Sequence, residues 1–172
     1  TPEPVDIWLS TTYARAGEGG TGAAKCGGNY AASMIAQTEG EKHGCKQVIF
    51  KDPHRGDAIE ELGGMNVFFV FGKENKIVTP ELTGTILEGV TRSSLIQLAK
   101  DRGMTVEERA ITLTEWREGV ANGDITEIFA CGTAAVVAPI GKLKAEDFEI
   151  PAPTEHFGEI SKSLREELVG IQ

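Results

Sequence analysis

Along residues 5–15, apolar Val5, Ile7 and Leu9 alternate with Asp6, Trp8 and Ser10, the period of two expected of a strand with one face in a core. Behind Asn29, a residue type that caps helices, the pairs Ala31/Ile35 and Ala32/Ala36 recur at helical spacing, which predicts a helix over 29–39. A strand follows at 46–51, and DPHRGD after it has the composition of a turn. NVFFVFGKENKIVTP, 66–80, predicts a hairpin with KENK at its tip. From Thr91, taken as a cap, an amphipathic helix places Leu95, Leu98, Ala99 and Arg102 on one side, and Gly103 ends it. Thr114 is expected to start a further helix in TEWREGVANG. ITEIFACGTAAVVAPI, 125–140, predicts strand, tight turn and strand, and an acidic strand-and-loop region leads to a closing helix from about Gly158. Hairpins interleaved with helices point to an α/β or α+β domain rather than a regular βαβ repeat.

Composition narrows the picture. The 172 residues suit one domain, and no repeat, low-complexity tract or long linker divides them. The most apolar stretch, NVFFVFG, is strand-sized, far short of the roughly 18–20 residues of a membrane helix. A formal charge of −9 argues against nucleic acid or an anionic membrane as the main partner. Cys26, Cys45 and Cys131 are odd in number and lack CxxC spacing, so three reduced thiols in a cytoplasmic protein are expected. His43, His54 and His156 stand apart from one another and from the cysteines, so no metal site is expected. The start, TPEPVDIWL, has no basic-then-apolar leader pattern and no initiator methionine, so the chain is expected to begin partway into a longer protein.

Candidate chemistry concentrates in GEGGTGAAKCGGNY, 17–30, which holds six glycines and one lysine. Gly17, Gly19 and Gly22 spell G-x-G-x-x-G, the spacing of a dinucleotide-binding loop. The rest of that fingerprint fails: Gly27 and Gly28 interrupt the helix that the third glycine should open, and neither Glu39 nor Glu41 ends a second strand convincingly. A nucleotide-binding module on the Gly17–Gly22 loop therefore stays only as the alternative from another class. Lys25 lies between small neighbours, Ala24 and Cys26, that leave room for something bulky against it. Taken alone, the stretch is read more plainly as a surface loop. A lysine that forms an imine with an aldehyde cofactor needs such clearance, and pyridoxal phosphate would further need an acid at its ring nitrogen and backbone N–H groups at its phosphate. Glu60 and Glu61 precede an apolar strand, EGVTRSS opens straight into a helix, and CGTAAVV makes a second tight turn bearing a hydroxyl. Each motif by itself also fits a surface pair, an ordinary helix start or a plain hairpin.

Taken in order, AAKCGGNY, IEELGGMNVFFV, VTPELTGTILEGVTR and FACGTAAVVAP resemble the branched-chain amino acid aminotransferases, class IV pyridoxal-phosphate enzymes of fold type IV, with GGTG and GMN most like the actinobacterial and animal branch. The resemblance implies the large-domain fold of that class, a mixed-sheet pseudo-barrel with surrounding helices. It implies that residues 1–9 end an interdomain connection, that 10–172 form the C-terminal pyridoxal-phosphate domain, and that the small N-terminal domain is not in this chain. By motif position, Lys25 matches the imine-forming lysine, Tyr30 the tyrosine on the cofactor's phenolic oxygen, and Leu87 the residue packed on the ring. Glu61 rather than Glu60 matches the acid at the pyridine nitrogen, because it stands five residues before Asn66. Val90, Thr91 and Thr133 match the phosphate positions, and Gly64, Thr133 and Ala134 lie beside the substrate carboxylate. The implied activity is ping-pong transfer of the amino group of leucine, isoleucine or valine to 2-oxoglutarate, giving branched 2-oxo acids and glutamate, in a cytoplasmic homodimer. A D-amino acid aminotransferase or an aminodeoxychorismate lyase is the nearest rival. Two departures stand out: Ala135 and Ala138 replace a CxxC of some animal members, and Glu88 replaces the proline of LPG, with its side chain expected in solvent.

Overall fold

The computed structural model describes residues 2–14, 20, 23, 27–84 and 86–171, with the backbone alone for 27–30 and 32. Lys25 therefore lies outside the described residues. Within them the strands are β1 (Val5–Ser10), β2 (Gln47–Lys51), β3 (Ile59–Leu62), β4 (Asn66–Phe71), β5 (Lys76–Thr79), β6 (Thr105–Glu108), β7 (Glu127–Gly132), β8 (Val136–Lys144) and β9 (Glu149–Ile150). The helices are α1 (Gly27–Lys42), α2 (Val90–Asp101), α3 (Leu113–Asn122) and α4 (Glu159–Ile171). The strands join one curled mixed sheet in the order β3-β2-β1-β8-β7-β4-β5-β6, with β9 on β8, so the expected mixed-sheet fold is borne out. No helix among the described residues is long and apolar enough to cross a membrane.

Three pairs are parallel: β1–β2 through α1 and β5–β6 through α2 are crossover units, β1 also runs parallel to β8, and the remaining pairs are antiparallel. Both sheet faces are covered. Along β4, Val67, Phe69 and Phe71 enter one apolar cluster with Trp116 of α3, while Phe68 and Val70 enter another with Leu95 of α2 and Leu164 of α4. β7 divides in the same way, Ile128 and Ala130 against Phe129 and Cys131. The predicted polar face of β1 is therefore not polar in its setting. Trp8 and Ser10 are buried, Trp8 in a third cluster with Ala36 of α1 and Val48 and Phe50 of β2.

Several expected boundaries shift. The first strand stops at Ser10, and α1 runs from Gly27 to Lys42 and so includes the two glycines expected to lie before it. α3 is capped by Thr112, whose hydroxyl accepts from Glu115 N at 3.0 Å, two residues before the expected Thr114. α2 begins on Gly89, not on a threonine cap, and this N-cap residue makes no side-chain hydrogen bond. α4 starts where expected, held by a partner the sequence did not reveal. Glu127 of β7 accepts from Ile160 N, Ser161 N and the Ser161 hydroxyl at 3.2, 2.9 and 2.7 Å.

Candidate cofactor site

β5 is antiparallel to β4 and β4 to β7, so the end of β5, the start of β4 and the end of β7 meet at one edge of the sheet. The connection after β5 returns across that edge and enters α2 there. In a parallel crossover this puts the helix N-terminus, with its unpaired N–H groups and positive dipole end, at the carboxyl edge of the strands. A cavity of about 170 Å³ sits at this junction. Glu61, Gly64, Leu87, Val90, Thr91 and Thr133, six of the expected site residues, line it together with Asn66, Glu88, Gly89 and Cys131.

Glu61 is buried at the end of β3, although a pair of surface acids was the plainer reading of that stretch. Its Oε1 accepts from Leu87 N at 3.0 Å and its Oε2 from Asn66 Nδ2 at 3.3 Å. Asn66 Nδ2 also donates to Leu87 O at 3.1 Å. Both neighbours of this amide nitrogen are acceptors, which fixes how the Asn66 amide is turned. The β3 carboxylate, the start of β4 and the 87–89 connection are thus tied into one network facing the cavity. Glu60, also buried, does not line it.

The α2 end is shaped by close approach. An added Cβ at Gly89 would lie 2.8 Å from Asn66 Oδ1, so glycine lets the helix entry rest on the network. Gly132 plays the same part across the cavity, where a Cβ would come within 3.0 Å of Met65 Cγ and 3.3 Å of Gly64 O. Arg92, buried in the first turn of α2, donates to Pro80 O at 3.0 Å and to Glu108 Oε1 at 2.9 Å, pinning the helix start to the sheet edge. Arg92 does not stand out in the sequence, where Asn66 serves only to mark the spacing to Glu61. A polar residue on the apolar side of a helix and an amide leading into an apolar strand were the available signals.

Cys131 is fully buried beside the cavity. Burial pushes its thiol up to about 12, opposed by the Arg92 guanidinium and reinforced by the negative Glu61. Glu88 is exposed at the cavity mouth, as expected. Ala134 is exposed on the turn next to Thr133 and does not line the cavity. The backbone of Tyr30 lies in the first turn of α1, and Ser33 one turn later meets the loop after β3, where a Cβ on Gly63 would sit 3.3 Å from Ser33 Cβ. A larger, more open depression of about 690 Å³ lies between the entry to β1 and residues 152–162, and none of the expected site residues borders it.

This fold and this site define a class. The chain belongs to the class IV aminotransferases: a family model described as amino-transferase class IV matches residues 7–143. A branched-chain-amino-acid aminotransferase of Mycolicibacterium smegmatis is 52% identical over 172 residues, covering 99% of this chain and 47% of that protein. The crystal structure of the Escherichia coli branched-chain amino acid aminotransferase superimposes with a TM-score of 0.81 at 29% identity, over 99% of this chain and 51% of the other. The holo, PLP-form crystal structure of the Thermobaculum terrenum branched-chain amino acid aminotransferase gives a TM-score of 0.79 at 30% identity, over 99% and 51%. The chain spans about half the length of the curated relatives it matches.

Proposed function

We propose that the chain is the cofactor-holding large domain of a pyridoxal-phosphate-dependent branched-chain amino acid aminotransferase, transferring amino groups from leucine, isoleucine or valine to 2-oxoglutarate. The observation that carries this reading is one cavity with a buried carboxylate on its wall and a helix N-terminus without a side-chain cap beside it. Pyridoxal phosphate carries a ring nitrogen that needs a negative partner and a phosphate that needs N–H donors, so the donor set fits it. Bound there, the cofactor supplies an electron sink for the charge left when a proton leaves the substrate Cα.

The chain's own residues would divide the work. Glu61, held by Leu87 N and Asn66, keeps the ring nitrogen protonated. The backbone of Val90 and the hydroxyls of Thr91 and Thr133 hold the phosphate, and Leu87 packs on the ring. Lys25 Nζ would be the attachment point and, once free, would carry the proton from the substrate Cα to the cofactor's C4′ carbon, as base and then as acid. Tyr30 donates to the phenolic oxygen, while Gly64 and Ala134 present backbone groups to the substrate carboxylate. The activity is that of the protein at its full length, in which a small N-terminal domain and a second subunit complete the pocket of a cytoplasmic homodimer. An apolar pocket separates leucine, isoleucine and valine weakly, since one methylene is worth about 1–3 kcal/mol.

The test is borohydride reduction of the full-length protein with pyridoxal phosphate, followed by peptide mass mapping. The pyridoxyl group is expected on Lys25, and leucine with 2-oxoglutarate is expected to yield glutamate. A label on another lysine, or on none, overturns the assignment.

A further inference from the structure

The turn that carries Thr133 contains a conformational anomaly. Gly132 and Val136 pair across the β7–β8 hairpin, and Thr133, Ala134 and Ala135 close it. Short hairpin loops commonly need one residue in the left-handed region, a place glycine takes at little cost, and here that residue is the first one past the loop. Val136 has φ 56. Among the described residues only one other non-glycine, Asn75 at φ 50, has a positive φ, and asparagine tolerates that region. A β-branched side chain does not, because its second γ carbon crowds the backbone.

The opposing force is packing. The half-buried Val136 side chain rests on the apolar cluster that includes Phe129, Cys131 and Val137. Its side chain thus packs on the sheet while its backbone turns through a conformation that valine avoids. Thr133 of the same turn lines the cavity.

We propose that Val136 is a positioning residue: its clamped side chain holds the 133–135 turn in the single conformation that presents Thr133 to the anion in the cavity. The inference rests on the assignment of Thr133 to the cofactor phosphate. Strain of this kind persists only where surrounding structure over-determines it, and a ligand gains affinity when its contacts are already in place. Glycine or asparagine at 136 would make the left-handed conformation easy locally and release the turn from the cluster. The turn would then be less strained and less fixed.

The test is made on the full-length protein with V136G, V136N, V136T and, as a control, T133A. Cofactor affinity is read from the absorbance of bound pyridoxal phosphate, and kcat and KM are measured with leucine. V136G and V136N are expected to weaken cofactor binding about three- to tenfold and to raise KM, with kcat within about twofold. V136T, which keeps the branched shape, is expected to bind as the parent does. The asparagine variant preserves the test if the glycine variant proves unstable. If T133A weakens binding while both V136G and V136N bind within about twofold of the parent, the inference is overturned and the phosphate assignment survives. Loss of affinity in V136T equal to that in V136N also overturns it. If T133A binds as the parent does, the phosphate assignment fails and this inference with it.

Discussion

Replacing Glu61 by glutamine should damage the fold as well as the chemistry, for a reason that can be counted in donors and acceptors. The carboxylate offers an oxygen to Leu87 N at 3.0 Å and another to Asn66 Nδ2 at 3.3 Å. Both of those partners donate. A carboxamide offers one acceptor and one donor, so either rotamer sets an NH₂ against an N–H. Asn66 cannot simply turn over to help, because its nitrogen also serves Leu87 O at 3.1 Å. A buried hydrogen bond to a charged group contributes about 1.5–3 kcal/mol, and an unsatisfied buried polar group costs about 1–3 kcal/mol, so E61Q is expected to cost about 1–3 kcal/mol. With alanine at 66, the glutamine NH₂ faces vacated space and its oxygen can turn to Leu87 N, so the same change should cost under about 1 kcal/mol. A double-mutant cycle by urea unfolding, using E61Q, N66A and the pair, should therefore show a coupling of about 1–2 kcal/mol, beyond the roughly 0.5 kcal/mol scatter of independent sites. Additive effects would refute the network. Independently of stability, E61Q is expected to retain cofactor but slow the proton transfer severely; if E60Q does so instead, the wrong acid has been assigned.

Three further outcomes follow from the same geometry. G89A places a methyl 2.8 Å from Asn66 Oδ1, and displacing that amide should cost about 1–3 kcal/mol and weaken pyridoxal phosphate binding about tenfold, read by unfolding and by cofactor titration. E88Q should tighten cofactor binding only about two- to threefold at low salt and not at 1 M salt, because an exposed charge is screened; a tenfold gain would mean that the side chain reaches the phosphate. Cys131 holds its proton up to about pH 12 in the folded protein but gives it up near its ordinary value of 9.0 when unfolded. Native stability from this group is therefore complete below pH 9.0 and falls above it, by about 1.4 kcal/mol per pH unit. C131A should lose less stability than the parent between pH 9 and 11, and iodoacetamide at pH 7–8 should leave Cys131 of the native protein unmodified.

Short-range chemistry determined much of this protein directly. The continuous apolar runs of β4 and β7, the helical spacing of Leu95, Leu98 and Ala99, and the glycines Gly103 and Gly123 after α2 and α3 all act over a few residues, so they could be read without coordinates. The ordered motifs also placed Glu61, Gly64, Leu87, Val90, Thr91 and Thr133 in one site, and the cavity gathers all six. What was not legible depends on partners distant in the chain. β6 is polar, and its pairing to β5 is made by backbone atoms, which no hydrophobic period records. Trp8 and Ser10 are buried because α1 and a second sheet face cover them, a fact of layering rather than of alternation.

Helix starts depend on tertiary context for the same reason. Thr91 has the residue type of a cap, yet α2 begins on Gly89 because only glycine lets the chain approach Asn66 there. The start of α4 is held by Glu127, 33 residues away from Ile160 in the chain. Residue identity determined which groups could bind an anion, bear a charge or make a turn. Sheet order alone decided that the Glu61 carboxylate, the open end of α2 and the strained turn before Val136 share one edge, because strand pairing joins segments that no local interaction connects.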